Sequence, residues 1–205
     1  MNNPDNRKLI IIGASGHGKV VEDIAKLNGY KDIVFLDDDL EIKCCAGRPV
    51  TGDSSMIKRQ DGEVFVAIGN TEIRRKIMED NPDKTFPVLI HPDAIVADDV
   101  VIGEGTVVMA GAIINPCVKI GKGCIINTSS SVDHDCVIGD YVHIAVGAHI
   151  CGTVDVGDSC WIGAGATVSN NIEICPDAII GAGATVVKDI KKSGTYVGVP
   201  AMMID

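Results

Sequence analysis

The sequence predicts two structural units, a small Rossmann-like α/β domain over residues 1–90 and a left-handed parallel β-helix over residues 91–205. Two patterns predict them. Through the C-terminal half an aliphatic residue recurs at every sixth position, whereas the N-terminal part alternates apolar strand-like runs with helical spacing. The composition agrees, because 23 glycines and an aromatic content of 3% favour thin, regular packing layers over a bulky aromatic core.

The N-terminal unit reads as a short series of strands and helices. Apolar runs predict strands over residues 9–13, 33–36 and 64–68. Apolar spacing predicts a helix from residue 19 to residue 28 after a glycine-rich turn, and a charged helix follows over about residues 71–79. Strands that alternate with helices indicate a small parallel sheet.

Three loops of this sheet are expected to meet beyond the carboxyl ends of its strands, where such sheets bind ligands. They carry the candidate ligand-binding residues Ser15, Gly16, His17, Asp37, Asp38 and Gly69. A glycine-rich turn that opens a helix offers free N–H groups to a phosphate, and the acidic pair suits ribose hydroxyls or a uracil N–H. Because a serine stands where the dinucleotide-binding fingerprint requires glycine, ordinary solvated loops are the alternative.

The six-residue period of the C-terminal unit begins at Val96 and ends at Val186, and every member is Val or Ile. A second row, two positions earlier, runs from Ala94 to Ala184 and is mostly small or β-branched. Short strands that turn corners and coil into a prism explain both rows, with slightly more than five coils of three hexads each. Glycines that follow the main row, such as Gly103 and Gly121, are expected to permit the corner backbone, often with a positive φ.

Charge and cysteine usage restrict the function classes. A net charge of −10 argues against general binding to nucleic acid or to an anionic membrane. The polar N-terminus and the lack of a long apolar run predict a cytoplasmic protein with no membrane insertion. Disulfides are not expected in a cytoplasmic protein, and the eight cysteines contain no C-x-x-C pair, so no zinc site is expected. Cys124, Cys136 and Cys160 fall on the small inward row and should be buried hydrophobes.

Three histidines lie in the repeat, none of them on an inward row. His134 is flanked by Asp133 and Asp135, and a carboxylate that accepts the Nδ1–H would leave Nε2 free as a general base. We favour Asp135 as the partner, with an ordinary surface histidine as the alternative. His143 could face a cofactor or a neighbouring subunit, and His149 receives no role.

At this point the motifs resemble a known family, the sialic acid O-acetyltransferase-like branch of the hexapeptide-repeat sugar acyltransferases. Within it the chain is most similar to the N-acetyltransferases that act on UDP-4-amino-sugars in bacterial bacillosamine synthesis. The matching segments are Gly13-Ala14-Ser15-Gly16-His17-Gly18, Phe35-Leu36-Asp37-Asp38, Ala67-Ile68-Gly69-Asn70, Glu72-Ile73-Arg74, Asn127-Thr128-Ser129-Ser130, His134-Asp135-Cys136-Val137-Ile138-Gly139 and Gly198-Val199-Pro200-Ala201.

The resemblance implies an acetyl-CoA-dependent N-acetyltransferase acting on a nucleotide-linked amino sugar, assembled as a homotrimer with acetyl-CoA between adjacent β-helices. It implies His134 as general base and Asp135 as the residue that raises its basicity. It places His143, Gly152, Ala164 and Ala182 along acetyl-CoA, and the six loop residues named above on the nucleotide sugar; no metal is expected.

Two other interpretations stay open at the level of sequence. The same histidine could serve an O-acetyltransferase that acts on a sugar hydroxyl, as in sialic acid acetylation. In a different class, the β-helix could be a structural or metal-binding scaffold, since the repeat spaces its three histidines by nine and six residues.

Overall fold

The structure, a computed structural model, describes residues 7–204, which form one compact unit up to His91 and a second from Pro92. The N-terminal unit has a three-stranded parallel sheet in the order β2-β1-β5. Its elements are β1 (Lys8–Ile12), α1 (Gly16–Leu27), β2 (Asp32–Leu36), β3 (Cys44–Cys45), β4 (Arg48–Pro49), a 3-10 helix (Ser54–Arg59), β5 (Glu63–Val66), α2 (Thr71–Glu79) and β6 (Leu89–Ile90). The sequence did not predict the β3–β4 hairpin or the 3-10 helix.

Helix α1 begins three residues earlier than predicted, because its first turn packs directly on the preceding loop. A side chain at Gly18 would place its Cβ 2.1 Å from the carbonyl oxygen of Gly13, so only glycine allows this approach. The buried face of the helix includes Val21 and Ile24, whereas the apolar Val20 and Leu27 are 43% and 52% exposed.

The C-terminal unit is a β-solenoid, which has about six turns counted from residue 89. Short strands register in parallel with the strands 18 residues away, which builds three walls. The first wall contains β7 (Ile95–Val96), β10 (Ile113–Ile114), β13 (Ser131–Val132), β16 (His149–Ile150), β19 (Thr167–Val168) and β22 (Thr185–Val186). The second contains β8 (Val101–Ile102), β11 (Lys119–Ile120), β14 (Val137–Ile138), β17 (Asp155–Val156) and β20 (Glu173–Ile174). The third contains β9 (Val107–Val108), β12 (Ile125–Ile126), β15 (His143–Ile144), β18 (Trp161–Ile162), β21 (Ala178–Ile180), β23 (Gly194–Val197) and the antiparallel β24 (Met202–Ile204).

Both predicted inward rows form the core. From Val108 to Val186 every sixth aliphatic residue is buried, as is every member of the second row from Thr106 to Ala184. The members nearest the start of the solenoid, such as Val96 and Ile102, are only partly buried. Cys124, Cys136 and Cys160 are fully buried as predicted, and all eight cysteines are free thiols.

The expected reason for the glycines after the main row is wrong. Positive φ angles occur two residues further on, at every sixth residue from Gly105 to Gly183, and the positions include Ser129, Asp135 and Asn171. Asp and Asn tolerate this left-handed region better than most residues. The glycines after the main row are needed for space instead, since a Cβ at Gly121 would lie 2.7 Å from the backbone nitrogen of Asp140.

Candidate active site

Two loops of the N-terminal sheet are joined by hydrogen bonds at the carboxyl ends of β1 and β2. The backbone N–H of Gly13 donates to the Leu36 carbonyl at 2.9 Å, and that of Ala14 donates to Asp37 Oδ2 at 2.6 Å. The third loop also touches the first, because a Cβ on Gly13 would lie only 2.7 Å from the Ala67 carbonyl oxygen. The loops that carry Ser15, Asp37 and Gly69 therefore meet, as the sheet topology predicts.

The two aspartates at the end of β2 have different surroundings. Both carboxylate oxygens of Asp37 are used within the fold, since Oδ2 accepts from Ala14 and Oδ1 accepts from the Asp39 backbone at 2.9 Å. Asp38 Oδ1 accepts from the Ser54 backbone at 2.9 Å, and Asp38 also lines a cavity of about 610 Å³ between the 3-10 helix and α2. Asp37 thus holds the loop in shape, whereas Asp38 faces the cavity between the 3-10 helix and α2.

His17 and the buried Arg74 lie against the same loops. Within residues 7–204, His17 Nε2 is buried without a hydrogen-bond partner, and burial, aided by the charge of Arg74, lowers the pKa of His17 to about 4. The Arg74 side chain is 1% exposed and its Nη1 donates to the carbonyls of Ile68 at 2.9 Å and Gly69 at 3.0 Å. His17 is therefore neutral at physiological pH, and Arg74 holds the Gly69 loop in place.

Sequence reasoning missed the role of Arg74. Helix α2 is polar and charged, so the hydropathy pattern assigns its arginines to solvent. The signal that could have found it was the Glu72-Ile73-Arg74 segment directly after the Gly69 loop, which placed it within reach of that loop.

In the solenoid, His134 lies at the edge between the first and second walls, two residues after the end of β13. Its Nδ1 is 2.8 Å from Asp135 Oδ2, and both side chains are 57% exposed. The hydrogen bond that Nδ1–H donates to Asp135, together with the charge of Asp133, raises the pKa of His134 above its ordinary value. Because Asp135 occupies Nδ1, Nε2 is the nitrogen available to take a proton.

Gly152 occupies the position one coil after His134 and lies against its ring. A Cβ on Gly152 would be 2.7 Å from both Cε1 and Nε2 of the imidazole. The structure therefore brings His134, Asp135 and Gly152 together at one edge.

His143 is more enclosed than its outward position suggests. It is 8% exposed, and its ring centroid lies 4.8 Å from that of Trp161, which stacks on it in the third wall. Asn127 Oδ1 accepts from the Thr128 backbone at 2.8 Å, so Nδ2 is the atom that faces His143 Nε2 at 3.1 Å. This contact suits the neutral tautomer of His143 in which Nε2 accepts.

The remaining candidates lie on a different edge from His134. Ala164 and Ala182 are exposed, one coil apart, at the edge between the third and first walls. The whole first wall separates that edge from the one that carries His134 and Gly152. Within one copy of the chain, the structure does not bring these candidates together.

Within one copy of the chain, the histidines of the repeat lie apart from one another over residues 7–204. His143 belongs to the third wall and His149 to the first, where its Nδ1 lies 2.9 Å from Ser131 Oγ. Across residues 7–204 no three His, Cys, Asp or Glu side chains are grouped closely enough to hold a metal ion. The same residues contain no helix with the length and apolar character needed to cross a membrane.

Comparison with known proteins covers both units. The sequence matches the family described as PglD N-terminal domain over residues 8–80 and the bacterial transferase hexapeptide family over residues 153–188. It is 36% identical over 114 residues to a UDP-N-acetylbacillosamine N-acetyltransferase from Bacillus subtilis, covering 51% of this chain and 52% of that protein. The match thus spans about half the length of this curated relative.

Solved structures also match over almost the whole chain, and two of these proteins serve as examples. The acetyltransferase domain of PglB from Neisseria gonorrhoeae is 41% identical with a TM-score of 0.93, covering 97% of this chain and 100% of that one, and it has also been solved with acetyl coenzyme A. PerB from Caulobacter crescentus, solved with CoA and GDP-perosamine, is 36% identical with a TM-score of 0.91 and 97% coverage of both chains.

Proposed function

The chain belongs to the family of hexapeptide-repeat sugar acyltransferases that carry a PglD-type N-terminal domain, and we propose that it transfers the acetyl group of acetyl-CoA to the amino group of a nucleotide-linked amino sugar. The observation that carries the proposal is the His134–Asp135 pair, an imidazole with one nitrogen bound to a carboxylate and the other left free. We propose an amine and not a hydroxyl as the acceptor, because relatives of the chain are named as N-acetyltransferases.

The reaction follows from this pair. The neutral sugar amine attacks the thioester carbonyl, and the new C–N bond forms as the π electrons move onto oxygen. His134 Nε2 takes the amine proton, while Asp135 stabilises the imidazolium through Nδ1. The Gly152 backbone N–H supplies a hydrogen bond to the oxyanion. When the C–S bond breaks, coenzyme A leaves as a thiolate that receives the proton from His134.

The loops of the N-terminal unit are proposed to hold the nucleotide. The backbone N–H groups of Ser15 and Gly16 at the start of α1 suit the diphosphate, and Gly69 adds backbone contacts. Asp38 suits the hydroxyls of ribose or an N–H of the base, and Asp37 shapes the loop against Ala14. A neutral His17 can accept or donate one hydrogen bond through its buried Nε2 without adding charge. A UDP-linked 4-amino-sugar is the first substrate to test.

Acetyl-CoA is proposed to lie along His143, Gly152, Ala164 and Ala182, in a homotrimer found in the cytoplasm. Support for the trimer comes from the two separated edges of the solenoid. If one copy presents the His134 edge and its neighbour presents the Ala164 edge, all four contacts share one groove. The small, exposed side chains of Ala164 and Ala182 leave room for the pantetheine arm to approach the backbone.

Activity is tested by incubating the purified protein with acetyl-CoA and UDP-, GDP- and CMP-linked 4-amino sugars, each beside its 4-hydroxy counterpart. We expect a mass gain of one acetyl group on an amino sugar and none on its hydroxy counterpart. Acetylation of the hydroxy sugars alone would establish the O-acetyltransferase alternative instead.

Replacement of the base tests the mechanism. His134→Ala should lower kcat by at least about 10²-fold, because general-base catalysis contributes that much. Binding of acetyl-CoA should persist, and it can be followed through the fluorescence of Trp161, the chain's only tryptophan. His149→Ala is the matched control, since His149 lies on the first wall with Ser131 as its partner. Equal activity of the two variants would remove His134 from its role.

A further inference from the structure

The second carboxylate beside His134 takes no part in the mechanism above. Asp133 is the first residue after β13. Its Oδ1 accepts a hydrogen bond from the backbone N–H of His134 at 2.8 Å. This bond fixes the chain where it turns from β13 into the edge that carries the imidazole. The next residue, Asp135, has a left-handed backbone with φ of 59°, so the turn that presents His134 is tightly defined.

Asp133 is held in turn by a residue of the preceding coil. Asn115 lies 18 positions earlier, and its Nδ2 donates to the same Oδ1 of Asp133 at 2.7 Å. The Asn115 backbone N–H also donates to the Val132 carbonyl at 2.9 Å, which ties the two coils together beside the side-chain bond. Asn115, Asp133 and His134 therefore form a chain of contacts that leads from one coil to the next.

The charge of Asp133 is secured by these contacts. The hydrogen bond from Asn115 and then that from the His134 backbone hold the pKa of Asp133 below its ordinary value. Around the imidazole, Asp133 and Asp135 are the charged groups of its own loop. The preceding coil presents Pro116 and Cys117, and the Cys117 thiol donates a hydrogen bond to Asp99. The following coil presents Gly152, which carries no charge.

We propose that Asn115 and Asp133 are positioning residues for His134: Asn115 orients the Asp133 carboxylate, and Asp133 fixes the backbone and the electrostatic environment of the imidazole. The functional importance of the pair rests on the proposed function, since it requires His134 to be the base. The coupling itself is a property of the solenoid and can be measured without substrate.

The test is a titration of the His134 imidazole by NMR in the full-length protein, comparing wild type with Asp133→Asn, Asn115→Ala and the double variant. Asn keeps the size and the acceptor oxygen of Asp133 and removes its charge. Asn115→Ser serves as a second variant should Asn115→Ala unfold. Asp140→Asn is the matched control. Asp140 Oδ1 likewise accepts a hydrogen bond from a backbone N–H, that of Lys122 at 2.9 Å, but it lies on a different edge of the solenoid.

We expect the titration midpoint of His134 to fall in Asp133→Asn, to fall less in Asn115→Ala, and to stay unchanged in Asp140→Asn. The double variant should match Asp133→Asn, because Asn115 acts through the carboxylate that this change removes. Turnover should fall between about 3- and 30-fold in Asp133→Asn, short of the 10²-fold loss expected for removing the base itself.

An unchanged His134 midpoint in Asp133→Asn overturns the proposal, as does a double variant whose effects simply add. These results are independent of the base assignment. Should His134→Ala retain full turnover, the mechanism fails while the titrations still decide whether Asn115 and Asp133 position the ring.

Discussion

Gly152→Ala tests whether the position of the His134 ring matters for catalysis. The added methyl carbon would lie 2.7 Å from both Cε1 and Nε2 of the imidazole. Carbon atoms in contact prefer separations of about 3.5 Å or more, so the ring must retreat by about 0.8 Å. It can do so, because the His134 side chain is 57% exposed and faces solvent.

The size of the effect follows from this displacement. A misplacement of about 1 Å in a reacting group costs about 10²-fold in rate, so kcat should fall by between about 10- and 100-fold. The melting temperature should change little, because an exposed ring and not the core absorbs the clash. Gly147→Ala is the control, since it has open space around its Cβ position but a φ of 62°, and should lose some stability while keeping kcat.

The assay measures kcat at saturating acetyl-CoA and the KM for acetyl-CoA separately. This separation matters because Gly152 is also proposed to contact acetyl-CoA. A loss confined to KM would place Gly152 in cofactor binding alone and refute the reasoning about the ring. A wild-type kcat together with an unshifted His134 NMR signal would refute it as well.

Two further predictions concern the N-terminal unit. The pKa of His17 in the folded protein is about 4, below its ordinary value of 6.5. Between these two pH values the unfolded chain binds a proton that the folded chain does not. The free energy of unfolding should therefore fall as the pH drops from about 6.5 to about 4. His17→Gln should remove about 2 kcal/mol of that loss between pH 7 and pH 4.5, measured by urea unfolding at the two pH values; an identical pH dependence in both proteins would contradict it. Arg74→Met leaves the carbonyls of Ile68 and Gly69 without their donor and should weaken UDP or GDP binding by about 10-fold in calorimetry, without changing the KM for acetyl-CoA. Its control is Arg75→Met, an exposed neighbour paired with Glu79, and equal losses in the two variants would count against a role for Arg74 in the loop.

The sequence predicted the core of the solenoid almost residue by residue. The narrow interior of the prism accepts Val or Ile on one inward row and mostly small or β-branched side chains on the other, and both rows repeat every six residues. The sequence predicted the end less well. After Val186 the period breaks, yet Ile190 still pairs with Ile174 and β23 stacks on β21, so the coil continues on residues that carry no six-residue signal. Backbone pairing and the buried Ile190 side chain, 4% exposed, extend the solenoid there, and the six-residue pattern reports neither of them.

Side-chain environments were harder to predict than side-chain directions. The sequence placed His143 on an outward row, which is right, but its burial depends on Trp161, 18 residues away, and on Asn127 in the preceding coil. The burial of Arg74 likewise depends on carbonyls of a loop whose path the sequence does not specify. In both cases the decisive partner is a neighbour in space, and the pattern of the local segment says nothing about it.

The two edges of the solenoid yield a last prediction, on complementation between damaged subunits. If each site uses the His134 edge of one copy and the Ala164 edge of the next, subunits of His134→Ala and of Ala164→Arg are each inactive alone. Each mixed trimer then contains one intact pairing of edges. With random assembly of equal amounts, about a quarter of the wild-type sites should be restored, because three quarters of the trimers are mixed and each recovers one site in three. Co-expression with two different tags, followed by tandem purification, keeps only the mixed trimers, so the purified protein should show about a third of the wild-type activity per trimer. A site built from the edges of a single copy would show no recovery at all, since every copy would retain one damaged edge.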